Sequence, residues 1–388
     1  MQHGKRGAQL RKGLVAFQFA VAVALIAATG VVYQQLRFVQ QKDLGFAKDQ
    51  VVTVPIYDVR EQYPAVKRAF AQHTGVVSAS ATSGAPGSYR MTYGFEGGGV
   101  GAENAKDLSA KIVFADTDYR RTMEIPLVAG RFFSEERAVD STAYVLNESA
   151  VRELGWQHAV GRTFSYAKRD GDGAPGPVIG VLEDFHFASL REEISPVVIR
   201  IKRPPYESYA SYGQIAVRFR PGQTEAVLGH LETAWAQFSE EPLDYTFLDE
   251  QFAEMYRTER RLGQVFTAFA MVAVLIACLG LFGLAAFAAE RRSKEIAIRK
   301  AVGASARQIV ALLSKEFLVL VAVGFAVAVP AAWLAMGRWL EDFAYRIELS
   351  PLLFAAAGLA ALVVALGATG WQALRAARAN PADALRDE

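Results

Sequence analysis

The chain has 388 residues and a formal net charge of +2, from 42 Lys and Arg against 40 Asp and Glu. That near-balance argues against a nucleic-acid partner, which calls for a clear basic excess. One cysteine, Cys278, excludes an intramolecular disulfide and a cysteine-based zinc site, and five scattered histidines give no helix-spaced metal pair.

Hydrophobic residues make up 52% of the chain, and the excess sits in four blocks. Residues 14–32 carry no charge, and only Gln18 and Thr29 are polar. Residues 266–289, 317–336 and 352–371 are likewise free of charge. At 1.5 Å per residue each block can cross a ~30 Å hydrocarbon core. A buried soluble helix rarely lacks a polar face over this length. Pro330 interrupts the third block, which a membrane helix tolerates because neighbours re-satisfy the freed carbonyl. Lys5, Arg6, Arg11 and Lys12 precede the first block like the basic end of a signal peptide. The run is long for such a segment and no clean cleavage site follows, so a retained anchor is expected.

Basic residues set the orientation. Segments 1–13, 290–311 and 372–388 together carry a net charge of +8, whereas 34–265 carries −5. The expected organisation is a cytoplasmic N-terminus (1–13), a first crossing (14–33) and a large periplasmic domain (34–265). A second crossing (266–289), a cytoplasmic coupling segment (290–308) and a third crossing (309–336) follow. A short periplasmic loop (337–351), a fourth crossing (352–371) and a cytoplasmic tail (372–388) complete it. The bilayer is the first partner this implies. Trp333, Trp339, Tyr345 and Trp371 fall near the expected interfaces, where amphipathic rings settle.

The segment 34–265 reads as α+β. Strands are expected at 51–57, 76–82, 214–219 and 243–248, with helices over 61–73 and 224–238. On the second helix Val227, Leu228, Leu231 and Trp235 share a face. The order βαβ, long insert, βαβ is that of a split ferredoxin-like sandwich. Residues 84–210 then form a β-rich insert, with strands at 143–146 and 178–182 and a short helix over 148–154. The glycine-rich stretch 94–101 reads as a loop. It lacks the Gly-Lys-Ser/Thr ending of a phosphate-binding loop. Residues 171–176 match GxGxxG as text, but Pro175 and Pro177 stop a helix from starting there, so a hairpin turn is expected. Asp184 and His186 read as a polar bend after a strand. No catalytic constellation is found, so no enzyme activity, metal site or cofactor is expected of this chain.

The most informative stretch is Ala289-Glu-Arg-Arg-Ser-Lys-Glu-Ile-Ala-Ile-Arg-Lys-Ala-Val-Gly-Ala-Ser305. Glu290–Lys294 and Glu295–Arg299 are i,i+4 pairs in the favourable order. Ile298, Ala301 and Val302 supply apolar contacts, and Gly303 is a natural helix stop. Ser305 with Gln308 forms a capping box that starts the next helix. The spacing predicts a short charged helix joined to membrane helices at both ends.

This run resembles the stretch after the second crossing in ABC-transporter permeases of the MacB/FtsX-like family. The tail Ala-Arg-Ala-Asn-Pro-Ala-Asp-Ala-Leu-Arg386 resembles the family's usual ending. Gly130-Arg-Phe-Phe, Tyr144-Val-Leu-Asn-Glu-Ser-Ala and Val178-Ile-Gly-Val-Leu-Glu-Asp-Phe-His-Phe resemble its periplasmic core domain. The resemblance implies an inner-membrane subunit, without catalysis of its own, that transmits motion from a cytoplasmic ABC ATPase dimer. ATP and Mg²⁺ would sit on that ATPase. The ATPase contact would fall on Glu290, Arg291, Lys294, Glu295, Ile298, Arg299, Val302, Gly303 and Ala304. Residues 11–49 resemble the opening of the second half of double-length permeases. A second permease unit, identical or related, is therefore implied, with room for a periplasmic or outer-membrane partner.

Ala357, Ala361, Ala365 and Thr369 form an i+4 stripe of small residues on the last crossing, and Ala273 with Ala277 does the same on the second. Such stripes let helices approach closely in lipid, within or between chains. The competing reading is a membrane-anchored sensor or scaffold that binds an envelope ligand without an ATPase.

Overall fold

Four helices are long and apolar enough to cross a membrane, with candidate spans at Gln9–Gln41, Arg257–Ala288, Lys315–Glu341 and Pro351–Trp371. The computed structural model describes residues 2–87, 94–98, 108–166, 175–201, 213–291, 295, 298–299, 302 and 304–378. The chain divides into two units, one of Met1–Gln40 with Thr258–Glu388 and one of Gln41–Arg257.

In the first unit the helices run past their apolar blocks. Helix α1 spans Gln2–Gln41. Its last turns read Tyr33-Gln-Gln-Leu-Arg-Phe-Val-Gln-Gln41, largely good helix formers although polar. Helix α7 spans Arg257–Arg291, α8 Ala306–Glu341 and α9 Pro351–Arg378. Pro351 stands at the first position of α9, where its missing N–H costs nothing. Pro330 lies inside α8.

Packing among these helices is close and mostly apolar. Val15, Phe19 and Val23 of α1 share a buried cluster with Leu281 of α7 and Phe317 and Val321 of α8. A Cβ at Gly324 would lie 2.8 Å from the Ala16 carbonyl oxygen, so the α8 backbone rides directly on α1. One polar side chain fixes the α8–α9 connection. Buried Gln35 donates to the Tyr345 carbonyl at 2.9 Å and accepts from the Ile347 N–H at 2.9 Å.

The second unit contains two sheets. The first has strands β1 (Val51–Pro55), β2 (Val76–Thr82), β10 (Gln214–Phe219) and β11 (Thr246–Phe247) in the order β11-β1-β10-β2. All its pairings are antiparallel. Helix α2 (Tyr63–Phe70) joins β1 to β2, and α5 (Thr224–Trp235) joins β10 to β11. This is the split ferredoxin-like βαβ–βαβ arrangement. Val66 and Phe70 of α2 and Val227, Leu231 and Trp235 of α5 bury one face of the sheet together with Val52, Val54, Ile215 and Val217.

The insert between β2 and β10 forms a seven-stranded mixed sheet in the order β5-β8-β6-β9-β4-β3-β7. Its strands are β3 (Gly94–Gly98), β4 (Leu108–Phe114), β5 (Leu127–Gly130), β6 (Tyr144–Asn147), β7 (Thr163–Tyr166), β8 (Gly176–Leu182) and β9 (Val197–Arg200). An extra β7–β8 pairing curls the sheet back on itself. Short helices α3 (Tyr119–Met123) and α4 (Glu148–Glu153) flank it. Phe164 of β7 is fully buried and meets the Tyr144 ring edge-on at 5.0 Å.

Two expectations need correction. The glycine-rich stretch is not all loop, because Gly94–Gly98 is a strand paired with β4 on one side and β7 on the other. Ladder bonds need only backbone groups, so an already paired neighbour on each side recruits a segment with no side-chain pattern. The strand expected over 243–248 shrinks to Thr246–Phe247, and Leu248 opens helix α6 (Leu248–Glu254). Leu248 and Phe252, four apart, bury on one side of that helix. Residues 171–174 of the GxGxxG text lie outside the described residues.

Candidate functional site

The segment between α7 and α8 carries the charged motif. Glu290 is exposed near the end of α7, and Arg291 is its last residue. Lys294 and Gly303 lie outside the described residues. Glu295 and Arg299 form the i,i+4 ion pair at 2.8 Å, with both side chains half-exposed. The Val302 N–H donates to the Ile298 carbonyl at 3.0 Å, and the Ala304 N–H to the Arg299 carbonyl at 2.9 Å. The first is an i,i+4 helical bond and the second the longer i,i+5 bond found where a helix ends. The capping box is complete. Ser305 Oγ accepts from the Gln308 N–H at 3.4 Å, and Gln308 Oε1 accepts from the Ser305 N–H at 2.9 Å.

Ile298 is 58% exposed and Val302 84%. Four residues apart, they stand on one side of a helical turn with the Glu295–Arg299 pair beside them. An apolar pair framed by charges suits a partner protein. Apolar side chains supply affinity in such contacts and charges supply register.

The small-residue stripes are placed differently. Ala277, Ala361 and Ala365 fall in the buried cluster with Val15 and Phe19, and Ala357 falls in a second cluster with Ala27, Val31 and Phe354. Ala273 is half-buried. The buried Thr369 hydroxyl donates to the Ala365 carbonyl at 2.8 Å. Ala277, Ala357, Ala361 and Ala365 thus pack between helices of this chain.

In the outer unit the ionisable groups serve as ties between sheets. Asp116, buried after β4, accepts from Lys67 Nζ at 2.7 Å, Ser80 Oγ at 2.7 Å, the Ala81 N–H at 2.9 Å and the Asp118 N–H at 3.1 Å. Burial is the largest influence on Asp116 and pushes its carboxyl up. With four donors around it, the group is an acceptor and stays ionised at neutral pH. Burial opposes the Lys67 charge, yet the Asp116 and Asp118 carboxylates hold the ammonium above the ordinary lysine value. Arg218 of β10 is buried and donates to the carbonyls of Thr122, Asp49 and Ala47 at 2.6, 3.1 and 2.5 Å. Burial lowers its pKa, while Glu124 and Asp49 act the other way.

Asp184 follows β8. It accepts from Asn147 Nδ2 at 2.9 Å, the Ser149 N–H at 2.7 Å, Ser149 Oγ at 2.8 Å and Arg152 at 3.0 Å. It thereby holds the first turn of α4 against β8. His186 is buried, and burial with the nearby Lys42 charge pushes its pKa down to about 4. Its backbone N–H donates to the Leu44 carbonyl at 2.8 Å. The polar bend is thus a junction of three chain segments. The sequence holds one visible signal for it, the pair Leu44-Gly45. Gly45 has φ +75°, a backbone open to glycine at little cost. A Cβ there would also lie 2.5 Å from the Asp184 carbonyl oxygen. Among the described residues no cluster of three His, Cys, Asp or Glu side chains is placed to hold a metal ion.

Comparison with known proteins agrees with this organisation. The FtsX-like permease C-terminal family matches residues 267–381, and the MacB-like periplasmic core domain matches residues 15–234. The macrolide export ATP-binding/permease protein MacB of Neisseria gonorrhoeae is 22% identical over 300 residues, covering 75% of this chain and 46% of that protein. The protein of the same name from Chromobacterium violaceum is 25% identical over 300 residues, covering 73% and 44%. The chain therefore spans less than half the length of these relatives. The periplasmic region of MacB from Actinobacillus actinomycetemcomitans covers 54% of this chain with 94% of its own, at 16% identity and a TM-score of 0.36. The extracellular domain of the noncanonic ABC-type transporter YknZ from Gram-positive bacteria covers 50% with 98% of its own, at 13% identity and a TM-score of 0.35. With four apolar helices and a periplasmic core domain, this is an inner-membrane protein of the permease type. The chain belongs to the family of ABC permeases that join a MacB-like periplasmic core domain to an FtsX-like membrane domain.

Proposed function

We propose that this chain relays ATP-driven motion from a cytoplasmic ABC ATPase dimer to its periplasmic domain, for export or extraction of an envelope substrate. The chain works with a second permease unit, identical or related. Both termini and residues 290–308 lie in the cytoplasm, in keeping with the +8 net charge of the three inner segments. ATP and Mg²⁺ belong to the ATPase. The curated relatives are named as combined ATP-binding/permease proteins, which supports pairing this permease with an ATP-binding component.

The observation that carries this reading is the exposed Ile298–Val302 pair beside the Glu295–Arg299 ion pair, just before the capped start of α8 at Ser305. A charged, exposed surface directly before the capped start of α8 is placed to pass a push on to that helix. The test is a double charge swap, Glu295→Lys with Arg299→Glu. The swap preserves an i,i+4 ion pair, so the helix survives while the surface charge pattern inverts. Co-purification of the native ATPase should fall at least tenfold, with membrane insertion unchanged. Undiminished co-purification would remove the docking assignment.

A further inference from the structure

We infer that residues 184–190 form a clasp that ties both chain ends of the outer unit to its insert, with the Tyr256 hydroxyl as the positioning group. The inference rests on the relay reading above and adds the place where the motion is delivered.

The ferredoxin-like core needs no clasp, because it is continuous with both chain ends. Strand β1 begins at Val51, ten residues after α1 ends at Gln41, and β11 ends at Phe247, ten residues before α7 begins at Arg257. The insert has no such continuity. It leaves β2 and returns at β10, so by the covalent chain alone it hangs from the core.

Beside the Asp116 and Arg218 ties already described, the clasp supplies a route that reaches both chain ends. On the α1 side, the His186 N–H donates to the Leu44 carbonyl at 2.8 Å, and Gly45 presses against Asp184 and Phe185. On the α7 side, Tyr256 is the residue just before that helix. Its hydroxyl accepts from the Leu190 N–H at 2.7 Å and from Ser189 Oγ at 3.2 Å. Phe252, one turn earlier, meets Phe46 of the α1 side edge-on at 6.1 Å and the Tyr256 ring at 6.0 Å. The Gly87 N–H closes the group on the Phe187 carbonyl at 2.9 Å. Both ends of the unit therefore meet the same seven residues.

Those seven residues are the direct extension of β8, a strand inside the insert sheet. Asp184 at their head holds α4 through Ser149 and Arg152. Leu44, Phe252 and Tyr256 are all nearly fully buried. Buried, directional bonds of this kind leave little slack, so a shift of either chain end moves β8 and α4 with it. Without the Tyr256 hydroxyl the Leu190 N–H and Ser189 Oγ lose this acceptor, and the α7 side holds the clasp less tightly.

The experiment uses the full chain with its co-purified ATPase in lipid nanodiscs, in a Cys278→Ala background. Spin labels at Val160 of the insert and Glu232 of α5, both exposed, report the insert-to-core distance by pulsed EPR, with and without ATP plus vanadate. ATP hydrolysis is measured on the same samples. We expect a nucleotide-dependent distance change in the parent protein. In Tyr256→Phe that change should fall at least twofold, while hydrolysis stays within twofold of the parent. A purely structural role would leave the ratio of displacement to hydrolysis unmoved. Ser189→Ala removes the weaker bond to Tyr256, together with the acceptor of the Arg191 N–H at 3.3 Å, provides the test should Tyr256→Phe not fold, and should lower the same ratio by a smaller factor. An unchanged ratio in a folded variant overturns the clasp and leaves the relay standing. No distance change in the parent protein overturns the relay, and the clasp with it.

Discussion

Each of the two units of this chain is held together internally, and by opposite means. In the outer unit, buried charge does the tying. Asp116 draws Lys67, Ser80 and Ala81 together, and Arg218 gathers three carbonyls. In the membrane unit, shape does it. Gly324 admits the α1 backbone, alanines line the helix contacts, and the hydroxyls of Thr29, Thr267 and Thr369 bond to their own helices. Folding in water rewards removal of apolar surface, so polar groups can be reserved for fixing register between sheets. In lipid that drive between helices is absent, and close van der Waals contact decides the packing. Gln35 is the informative exception. It stands where irregular backbone at Tyr345 and Ile347 needs partners.

This comparison breaks first at Asp116. Replacing Asp116 with Ala leaves the partly buried Lys67 facing the half-exposed Asp118, and should cost about 3–5 kcal/mol. Thermal unfolding of the full chain should show the loss in the outer unit. On the membrane side, Gly324→Leu should cost about 1–3 kcal/mol by forcing α8 off α1. A much smaller loss would mean that the helices can slide apart freely. Gln35→Leu should also cost about 1–3 kcal/mol, because it removes the buried bonds to the Tyr345 carbonyl and the Ile347 N–H. Amide exchange should rise at 345–347 and not in the outer unit.

Acid sharpens the same contrast. His186 has a pKa of about 4 when folded, against an unfolded value of 6.5. Protonation therefore favours the unfolded state. The stabilisation is present above pH 6.5 and is lost as pH falls toward 4, on the order of 1–2 kcal/mol by pH 5. His186→Gln should flatten that acid limb in the outer unit alone. The smallest effect belongs to the exposed pair, where Glu295→Gln should change stability by only about 0.3–0.5 kcal/mol.

What the sequence could show follows local periodicity. Strand β10 announces itself by Ile215, Val217 and Phe219, and α5 by Val227, Leu231 and Trp235. The Ser305–Gln308 capping box is equally local, and so is the Glu295–Arg299 pair. The same alternation misleads at Arg218, which reads as facing water yet is buried on the other side of its strand. Its three acceptors come from Ala47, Asp49 and Thr122, distant in sequence. The Gly94–Gly98 strand is silent for a related reason, since its place is set by the neighbours it pairs with. The junction at 184–190 depends on Leu44 and Tyr256, which no spacing links to it.

The most direct test of the relay is a labelling experiment in intact spheroplasts. In a Cys278→Ala chain, a single cysteine is placed at Val128 of the outer unit or at Val302 of the charged turn, both exposed. A membrane-impermeant maleimide should label the cysteine at 128 before lysis and the one at 302 only after it. Labelling of both before lysis, or of 302 alone, would put the turn and the domain in an arrangement through which no inner ATPase could act.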